Sequence, residues 1–230
     1  MFFVTGDTHG DFTRIEKFCR RFKTSKSDCL VIVGDVGVNF NEDARDDMAK
    51  EYLSDMPITI FAVHGNHEAR PQNFDTYMEI EWCGATAYAE PMYPSLIFAK
   101  DGEIYDFDGK KTFVCGGAYS VDKPIRLAEG YKWWPDEQPS EETKKYCEKQ
   151  LDGACWNVDV VLTHTVPFKY IPRDTFTMGD IDPATIDNST ELWLDTIEDR
   201  LTYKKWYAGH FHIERLVDNL RIVFNDFCEL

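Results

Sequence analysis

Long apolar runs are missing from this sequence, and so is any regular spacing of cysteines. No apolar stretch approaches the roughly 20 residues that cross a bilayer, so a membrane protein is not expected. The seven cysteines show no CxxC spacing and are odd in number, which argues against a disulfide framework. The first residues carry neither the basic segment nor the cleavage site of a signal peptide, so we expect a cytoplasmic protein.

Positive charge is also scarce, because 41 acidic residues face 25 basic ones and leave a net charge of −16. An acidic surface repels the backbone of long nucleic acids, so no long duplex is expected as a partner. The balance still admits a small phosphoester, a nucleotide or a short nucleic-acid end that reaches a metal-rich cleft. A chain of 230 residues can bury one sizeable core, and we expect a single domain over 1–230.

The order of apolar and helical stretches predicts an α/β fold. Continuous apolar runs at 29–34 and 58–63 are typical of buried strands, and a shorter strand is predicted at 2–6. Helical periodicity falls between these runs at 12–22 and 43–53. Such alternation favours a largely parallel sheet with right-handed crossovers.

The remainder of the chain mixes hairpins, helices and strands. Short β-rich runs within 85–117 predict antiparallel hairpins, with Asp108-Gly109 as a tight turn. Ser140 is expected to cap a helix, a second helix is expected over 187–201, and a buried strand over 158–163. Three further short strands are predicted at 206–208, 213–217 and 220–224.

The segment 119–139 has no clear period, and we expect a long ordered loop that forms a lid or insertion. It contains Trp133 and Trp134. These indoles could pin the segment onto the core, or they could stack on a nucleobase. The sequence leaves the two alternatives open.

Five polar clusters follow apolar runs, and they contain five of the six histidines. Ligands of open α/β sheets bind at the carboxyl ends of the strands, so folding can bring all five clusters to one edge. Aspartate oxygen and histidine nitrogen together suit Mn, Fe, Zn or Ni. The clusters are Gly6-Asp7-Thr8-His9-Gly10, Gly34-Asp35-Val36-Gly37, Gly65-Asn66-His67-Glu68, Thr163-His164-Thr165-Val166-Pro167 and Gly209-His210-Phe211-His212.

Spacing within the clusters also favours shared ligands. Residues i and i+2 of an extended segment point the same way, so Asp7 and His9 can face one ion together. His210 and His212 can do the same or divide between two neighbouring ions. The sixth histidine, His64, is interpreted as a structural residue of the preceding strand.

This ordered set resembles the calcineurin-like metallophosphoesterase superfamily, and the resemblance runs from Asp7 to His212. It implies a four-layer αββα sandwich, in which two mixed β-sheets are flanked by helices. It also implies two divalent ions, with Mn²⁺ expected first and Fe, Zn or Ni as alternatives. The implied ligands are Asp7, His9, Asp35 and His212 for the first ion, and Asp35, Asn66, His164 and His210 for the second.

The resemblance gives His67 the place of the catalytic histidine beside the ions, with Asp35 bridging them. Two adjacent divalent ions lower the pKa of a shared water from 15.7 toward about 7. The hydroxide so formed is expected to attack phosphorus in line, while a protonated His67 donates to the leaving oxygen. A protonated imidazole beside cations needs an acidic partner, and Glu68 and Asp11 are both candidates.

The sequence departs from the serine/threonine protein phosphatases of that superfamily at the second motif. Val38 replaces the acid that supports the catalytic histidine, and Asn39 replaces the phosphate-binding arginine. A phosphodiesterase is therefore the first expectation, because a diester monoanion needs less positive charge than a monoester dianion. A phosphomonoesterase, including a protein phosphatase, is the alternative, and a non-catalytic metal-binding scaffold is the least favoured interpretation. Candidate substrate contacts are Arg70, Lys123 and Arg126.

Overall fold

Strands and helices alternate along the first third of the chain, as the sequence predicts. The computed structural model describes residues 1–175 and 183–230. The strands of this part are β1 (Phe2–Thr5), β2 (Cys29–Ile32), β3 (Thr59–Ala62), β4 (Met78–Trp82), β5 (Ala85–Ala89), β6 (Leu96–Ala99), β7 (Ile104–Phe107), β8 (Lys110–Cys115), β9 (Val160–Thr163), β10 (Lys205–Ala208), β11 (Arg215–Val217), β12 (Leu220–Ile222) and β13 (Cys228–Glu229). The α-helices are α1 (Thr13–Phe22), α2 (Ala44–Asp55), α3 (Lys123–Glu129), α4 (Glu141–Gly153) and α5 (Ser189–Glu198).

The strands form two mixed sheets. The first has the order β13-β1-β2-β3-β6-β5-β4, and the second has the order β11-β12-β10-β9-β8-β7. Strands β1, β2, β3 and β6 run parallel at the centre of the first sheet. Strands β8, β9, β10 and β12 do the same in the second. Each sheet therefore presents a row of carboxyl ends along one edge.

Three apolar clusters stack these elements into four layers. The middle cluster joins the facing sides of the two sheets, with Val31, Phe61, Val114 and Leu162 among its members. A second cluster packs α1 and α2 on the outer face of the first sheet. A third packs α4 and α5 on the outer face of the second sheet. The αββα sandwich of two mixed sheets that the sequence predicts is therefore confirmed. None of the described helices is both long and apolar enough to span a membrane.

Local signals account for several boundaries. Ser140 caps α4, since its Oγ accepts a hydrogen bond from the Thr143 amide at 3.2 Å. The predicted Asp108-Gly109 turn joins β7 to β8, and both residues adopt positive φ, at 54° and 84°. A two-residue turn with positive φ matches the right-handed twist of an antiparallel pair.

Two predictions for the middle of the chain need correction. The runs that become β6 and β7 do not form a hairpin with each other, because β6 joins the first sheet and β7 the second. The segment 119–139 is not irregular throughout, since it contains the short helix α3. Strands β4 and β13 were not predicted. The sequence of β4 alternates apolar residues with the exposed Glu79 and Glu81, a pattern typical of an edge strand.

Candidate metal centre

All five polar clusters lie at the carboxyl ends of parallel strands. Asp7 follows β1, Asp35 follows β2 and Asn66 follows β3, all in the first sheet. His164 follows β9 and His210 follows β10 in the second sheet. Because the two sheets face each other across one core, their ligand-bearing edges meet. The structure thus brings the seven predicted metal ligands into one site.

Asp7, His9 and His212 form one half of the site. The Nε2 atoms of His9 and His212 lie 2.9 Å apart. The Oδ2 atom of Asp7 lies 3.2 Å from His212 Nε2 and 3.9 Å from His9 Nε2. Two ring nitrogens and a carboxylate oxygen at this spacing could share one cation.

Asp35, Asn66, His164 and His210 form the other half. The Oδ1 atom of Asn66 lies 2.8 Å from His164 Nε2 and 3.0 Å from His210 Nδ1. The Oδ2 atom of Asp35 lies 3.6 Å from His164 Nε2. Asp35 also lies 3.8 Å from His9 Nε2 of the first half. Its carboxylate is therefore positioned between the two groups.

Hydrogen bonds to neighbouring residues orient the side chains of this second half toward one another. The carbonyl of Val33 can only accept, so the Nδ1 of His164 donates to it at 2.8 Å, and Nε2 of the ring is directed into the site. Asn66 Nδ2 donates to Ser120 Oγ at 2.9 Å, which directs Asn66 Oδ1 toward the histidines. His164 Nε2 and Asn66 Oδ1 therefore face each other at 2.8 Å. Together with His210 Nδ1 they form a set of nitrogen and oxygen donors that fits a divalent transition metal.

Four of the predicted ligand residues have strained backbone conformations. His9, Asp35, His210 and His212 all adopt positive φ, between 46° and 68°. Such conformations are uncommon for residues other than glycine, and they gather at functional sites. Gly65 makes room for the centre, because a Cβ there would lie 2.0 Å from Asp35 Oδ1.

Neighbouring groups keep the Asp35 carboxylate charged, and backbone amides orient both Asp35 and Asp7. Burial raises the pKa of Asp35, but the imidazoles of His164, His67 and His9 outweigh it and bring the pKa to about 2. The amide of His67 donates to Asp35 Oδ1 at 2.8 Å. The amide of His210 donates to both oxygens of Asp7, at 3.0 and 3.1 Å. Ionised carboxylates held by backbone amides are ready to bind a cation.

The pKa values of His210 and His212 are shifted in opposite directions. Burial lowers the pKa of His210 to about 3, so this ring is neutral and keeps a lone pair at ordinary pH. The hydrogen bond with Asp7 raises the pKa of His212, and that ring is partly exposed. A metal ion at Asp7 would replace the proton in this contact.

His67 lies beside the centre, and its partner is a cation. Nη2 of Arg126 contacts His67 Nδ1, and Nε of Arg126 donates to Asp122 Oδ2 at 2.7 Å. The two predicted acidic partners are engaged elsewhere. The Glu68 carboxylate accepts from the amides of Gly65 and Val36, at 2.9 and 3.1 Å, and the carboxylate of Asp11 accepts from the Thr13 amide. Asp122 therefore reaches His67 only through Arg126.

The three basic side chains that are predicted to contact the substrate, Arg70, Lys123 and Arg126, lie in different surroundings. Arg70 is buried and pairs with Asp101, with 2.5 Å between Nη1 and Oδ2, so it is a structural ion pair of the adjacent loops. Lys123 Nζ lies 4.1 Å from the centre of the Trp133 ring. Arg126 alone of the three contacts a residue of the predicted site.

The sequence does not predict the supporting roles of two residues. Ser120 orients Asn66, and Glu68 ties the loops that follow β2 and β3. Burial raises the pKa of Glu68 well above its usual value. Ser120 carries no sequence signal, whereas Glu68 lies inside the third polar cluster, where the sequence predicts it as an acidic partner of His67.

His64 is buried at the end of β3, and neither ring nitrogen has a hydrogen-bond partner among the described residues. Burial lowers the pKa of His64 well below its usual value, so the ring is neutral. It packs against Gly116, where a Cβ would lie 2.5 Å from the His64 carbonyl oxygen. These surroundings suit the structural role predicted for His64.

Comparison with known proteins agrees with this geometry. A family model described as calcineurin-like phosphoesterase matches residues 1–214. One solved structure aligns with a TM-score of 0.53 at 14% identity, covering 96% of this chain and 88% of its own. TT1561 of Thermus thermophilus aligns with a TM-score of 0.50 at 12% identity, covering 97% and 87%. No curated protein matches the sequence.

At these identities the two solved structures show the fold alone, whereas the family model spans the polar clusters and the strands that carry them. Calcineurin-like phosphoesterases depend on two metal ions and hydrolyse phosphoric ester bonds. The chain therefore belongs to the calcineurin-like phosphoesterase family, as a metal-dependent hydrolase of phosphoric esters.

Proposed function

We propose that this protein is a phosphodiesterase acting on a small or exposed phosphodiester, with two divalent ions as cofactors. Mn²⁺ is the first candidate, and Fe, Zn and Ni are alternatives. One ion would be held by Asp7, His9, Asp35 and His212, and the other by Asp35, Asn66, His164 and His210. The seven free thiols support a reducing, cytoplasmic site of action.

One observation supports a diester substrate over a monoester. The arginines nearest the third polar cluster are already paired with carboxylates. Arg70 is paired with Asp101, and Arg126 is paired with Asp122. Val38 and Asn39 add no charge, and both are buried. A monoester dianion would thus gain little beyond the ions themselves, whereas a diester carries one negative charge fewer.

The residues of this chain would orient the substrate and hold the proton. The two ions, when bound, supply charge neutralisation and an activated water. Arg126 can only donate, so Nδ1 of His67 accepts from it and the neutral ring carries its proton on Nε2. That proton is available to the leaving oxygen. We propose the segment 119–139 as a lid over this side of a single domain, since α3 supplies Arg126 from it.

Hydrolysis of bis-p-nitrophenyl phosphate and p-nitrophenyl phosphate, compared with Mn²⁺ and with EDTA, tests this proposal. We expect metal-dependent release of p-nitrophenol, with a larger kcat/KM for the diester. Faster cleavage of the monoester would overturn the phosphodiesterase assignment. Failure to bind metal, or to cleave either ester, would instead favour a non-catalytic scaffold.

A phosphomonoesterase is the second candidate, and Arg126 is the observation that favours it. The guanidinium already contacts His67 and could turn toward a terminal phosphate oxygen. Under that alternative, Arg126→Ala would raise KM for the monoester more than for the diester. An equal change for both esters would leave the diester proposal standing.

A further inference from the structure

A cavity of about 380 Å³ opens directly beside the proposed second metal site. His210 and Phe211 belong to its wall, so the cavity begins at a predicted metal ligand. Its volume lies in the range of about 300–1,000 Å³ that is usual for small-molecule sites. A phosphate held by the ions would direct its ester substituent into this space.

Aromatic rings form much of the cavity wall. Tyr119, Phe168 and Phe211 line it together with Ile171 and Ile186. Arg173 lies across the Phe168 ring, with 4.5 Å between the guanidinium carbon and the ring centre. Rings and a planar guanidinium are surfaces on which a flat group can stack. The shape and chemistry of the wall therefore favour a planar ring.

The wall also contains one buried carboxyl group, that of Glu191 in the first turn of α5. Glu191 is only 5% exposed. Its Oε1 accepts from Thr165 Oγ1 at 2.8 Å. Its Oε2 is buried and has no hydrogen-bond partner among the residues that the structure describes. An unpaired buried carboxyl oxygen is costly, so its place in a cavity wall points to a partner supplied by a ligand.

We propose that this cavity is a nucleobase pocket, in which the ring stacks between the aromatic side chains and an N–H group of its edge donates to Glu191 Oε2. The inference rests on the proposed function for the position of the phosphate. It adds the class of ester substituent, a nucleoside, and a residue that determines specificity.

Other substituents fit the pocket less well. A plain phenyl group could stack but would leave Glu191 Oε2 without a partner. A sugar or a short alkyl group would leave the aromatic wall uncovered. Burial raises the pKa of Glu191 to about 7, so near neutral pH the carboxyl is available both as acceptor and as donor to a base edge. A nucleobase uses the stacking surface and the carboxyl together.

Binding of phosphonates, in which a P–C bond replaces the hydrolysable ester, tests the pocket without turnover. Isothermal titration of the Mn²⁺-loaded protein would compare the methylenephosphonates of the four common nucleosides with benzylphosphonate and ethylphosphonate. We expect at least one nucleoside analogue to bind about 10-fold more tightly than benzylphosphonate, since a hydrogen bond that satisfies a buried polar group is worth about that factor. We expect benzylphosphonate to bind about 5-fold more tightly than ethylphosphonate through stacking.

Two variants assign these preferences to residues. Glu191→Leu keeps the side-chain volume and removes the acceptor, so the nucleoside analogue should fall to the affinity of benzylphosphonate. Phe168→Leu should weaken both ring-bearing ligands and leave ethylphosphonate unchanged. Glu81→Leu is the matched control, because Glu81 is an exposed carboxylate on β4, and it should change nothing. Melting temperature and metal content identify any variant that has failed to fold.

Equal affinity of the nucleoside and ethyl phosphonates would overturn the pocket, and so would an unchanged preference in folded Glu191→Leu. Failure of the proposed function would be seen in a different measurement. In that case bis-p-nitrophenyl phosphate would not be cleaved, whatever the affinities of the phosphonates. The two results are measured in separate experiments on the same preparation.

Discussion

Asp35 lies within reach of both halves of the candidate centre, since its Oδ2 is 3.8 Å from His9 Nε2 and 3.6 Å from His164 Nε2. A shared carboxylate screens two cations from each other, so its loss should affect both. We expect Asp35→Ala to retain neither ion and to abolish hydrolysis, as measured by elemental analysis and p-nitrophenol release.

Asp11→Ala is the matched control for this change. Asp11 follows the first polar cluster, but it is exposed and its carboxylate accepts from the Thr13 amide outside the centre. The control should keep two ions and full activity. Two ions retained in Asp35→Ala would contradict the bridging role.

A different result is expected for His67, because its ring contacts Arg126 and lies beside the predicted metal ligand His9. If it moves a proton and does not bind metal, His67→Ala should keep both ions while kcat falls by about 10²–10⁴-fold. Elemental analysis and steady-state kinetics on one preparation separate the two roles. Loss of an ion would place His67 among the ligands, where its position near His9 and Asp35 would also allow it.

The sequence predicted which residues meet at the centre better than it predicted the orientation of their neighbours. Strand ends and i, i+2 spacing are local features, and they placed Asp7 and His9 correctly beside each other. Arg70 follows His67 closely, yet its guanidinium pairs with Asp101, which is 31 residues away. Such a choice between partners is made by tertiary packing and has no local signature.

At the scale of elements, hydrophobic continuity was the more reliable signal. Strands β2 and β9 are buried along their whole length and appear in the sequence within largely apolar runs. Strand β13 has only two residues and depends on its pairing with β1, so no periodicity could predict it. The assignment of β6 and β7 to different sheets depends equally on long-range pairing.

Trp134 gives a prediction for the segment 119–139 as an element. Its ring packs edge-on against Phe40 at 5.6 Å, and its Nε1 donates to Glu42 Oε1 at 3.1 Å. These contacts support pinning of the segment, and not base stacking, as the role of this tryptophan. Trp134→Ala should speed amide hydrogen exchange across 119–139 and raise KM while metal content stays constant.

Tyr131→Ala is the control within the same segment, because Tyr131 is 64% exposed. It should leave both hydrogen exchange and KM unchanged. Equal exchange in Trp134→Ala and the native protein would show that other contacts hold the segment in place.

At the scale of the whole molecule, ligands come from loops on both sheets, so metal binding joins the two halves of the sandwich. The chain has a net charge of −16, and Asp7 and Asp35 are both 2% exposed. Buried carboxylates near other acceptors are costly without a counter-ion. The stability of the folded state should therefore depend strongly on the bound metal ions.

Metal removal should then lower the melting temperature of the entire chain in one transition. At free Mn²⁺ of about 100 times Kd, one site adds about 2.7 kcal/mol to the free energy of unfolding. With about 2–4 °C per kcal/mol for a chain of this length, the melting temperature should rise by about 5–11 °C for each site filled. Calorimetry after EDTA dialysis, with and without added Mn²⁺, measures the change. Because Asp35→Ala lacks the shared ligand, the same addition should leave its melting temperature unchanged, and an equal rise in that variant would mean that Mn²⁺ stabilises the fold from somewhere else.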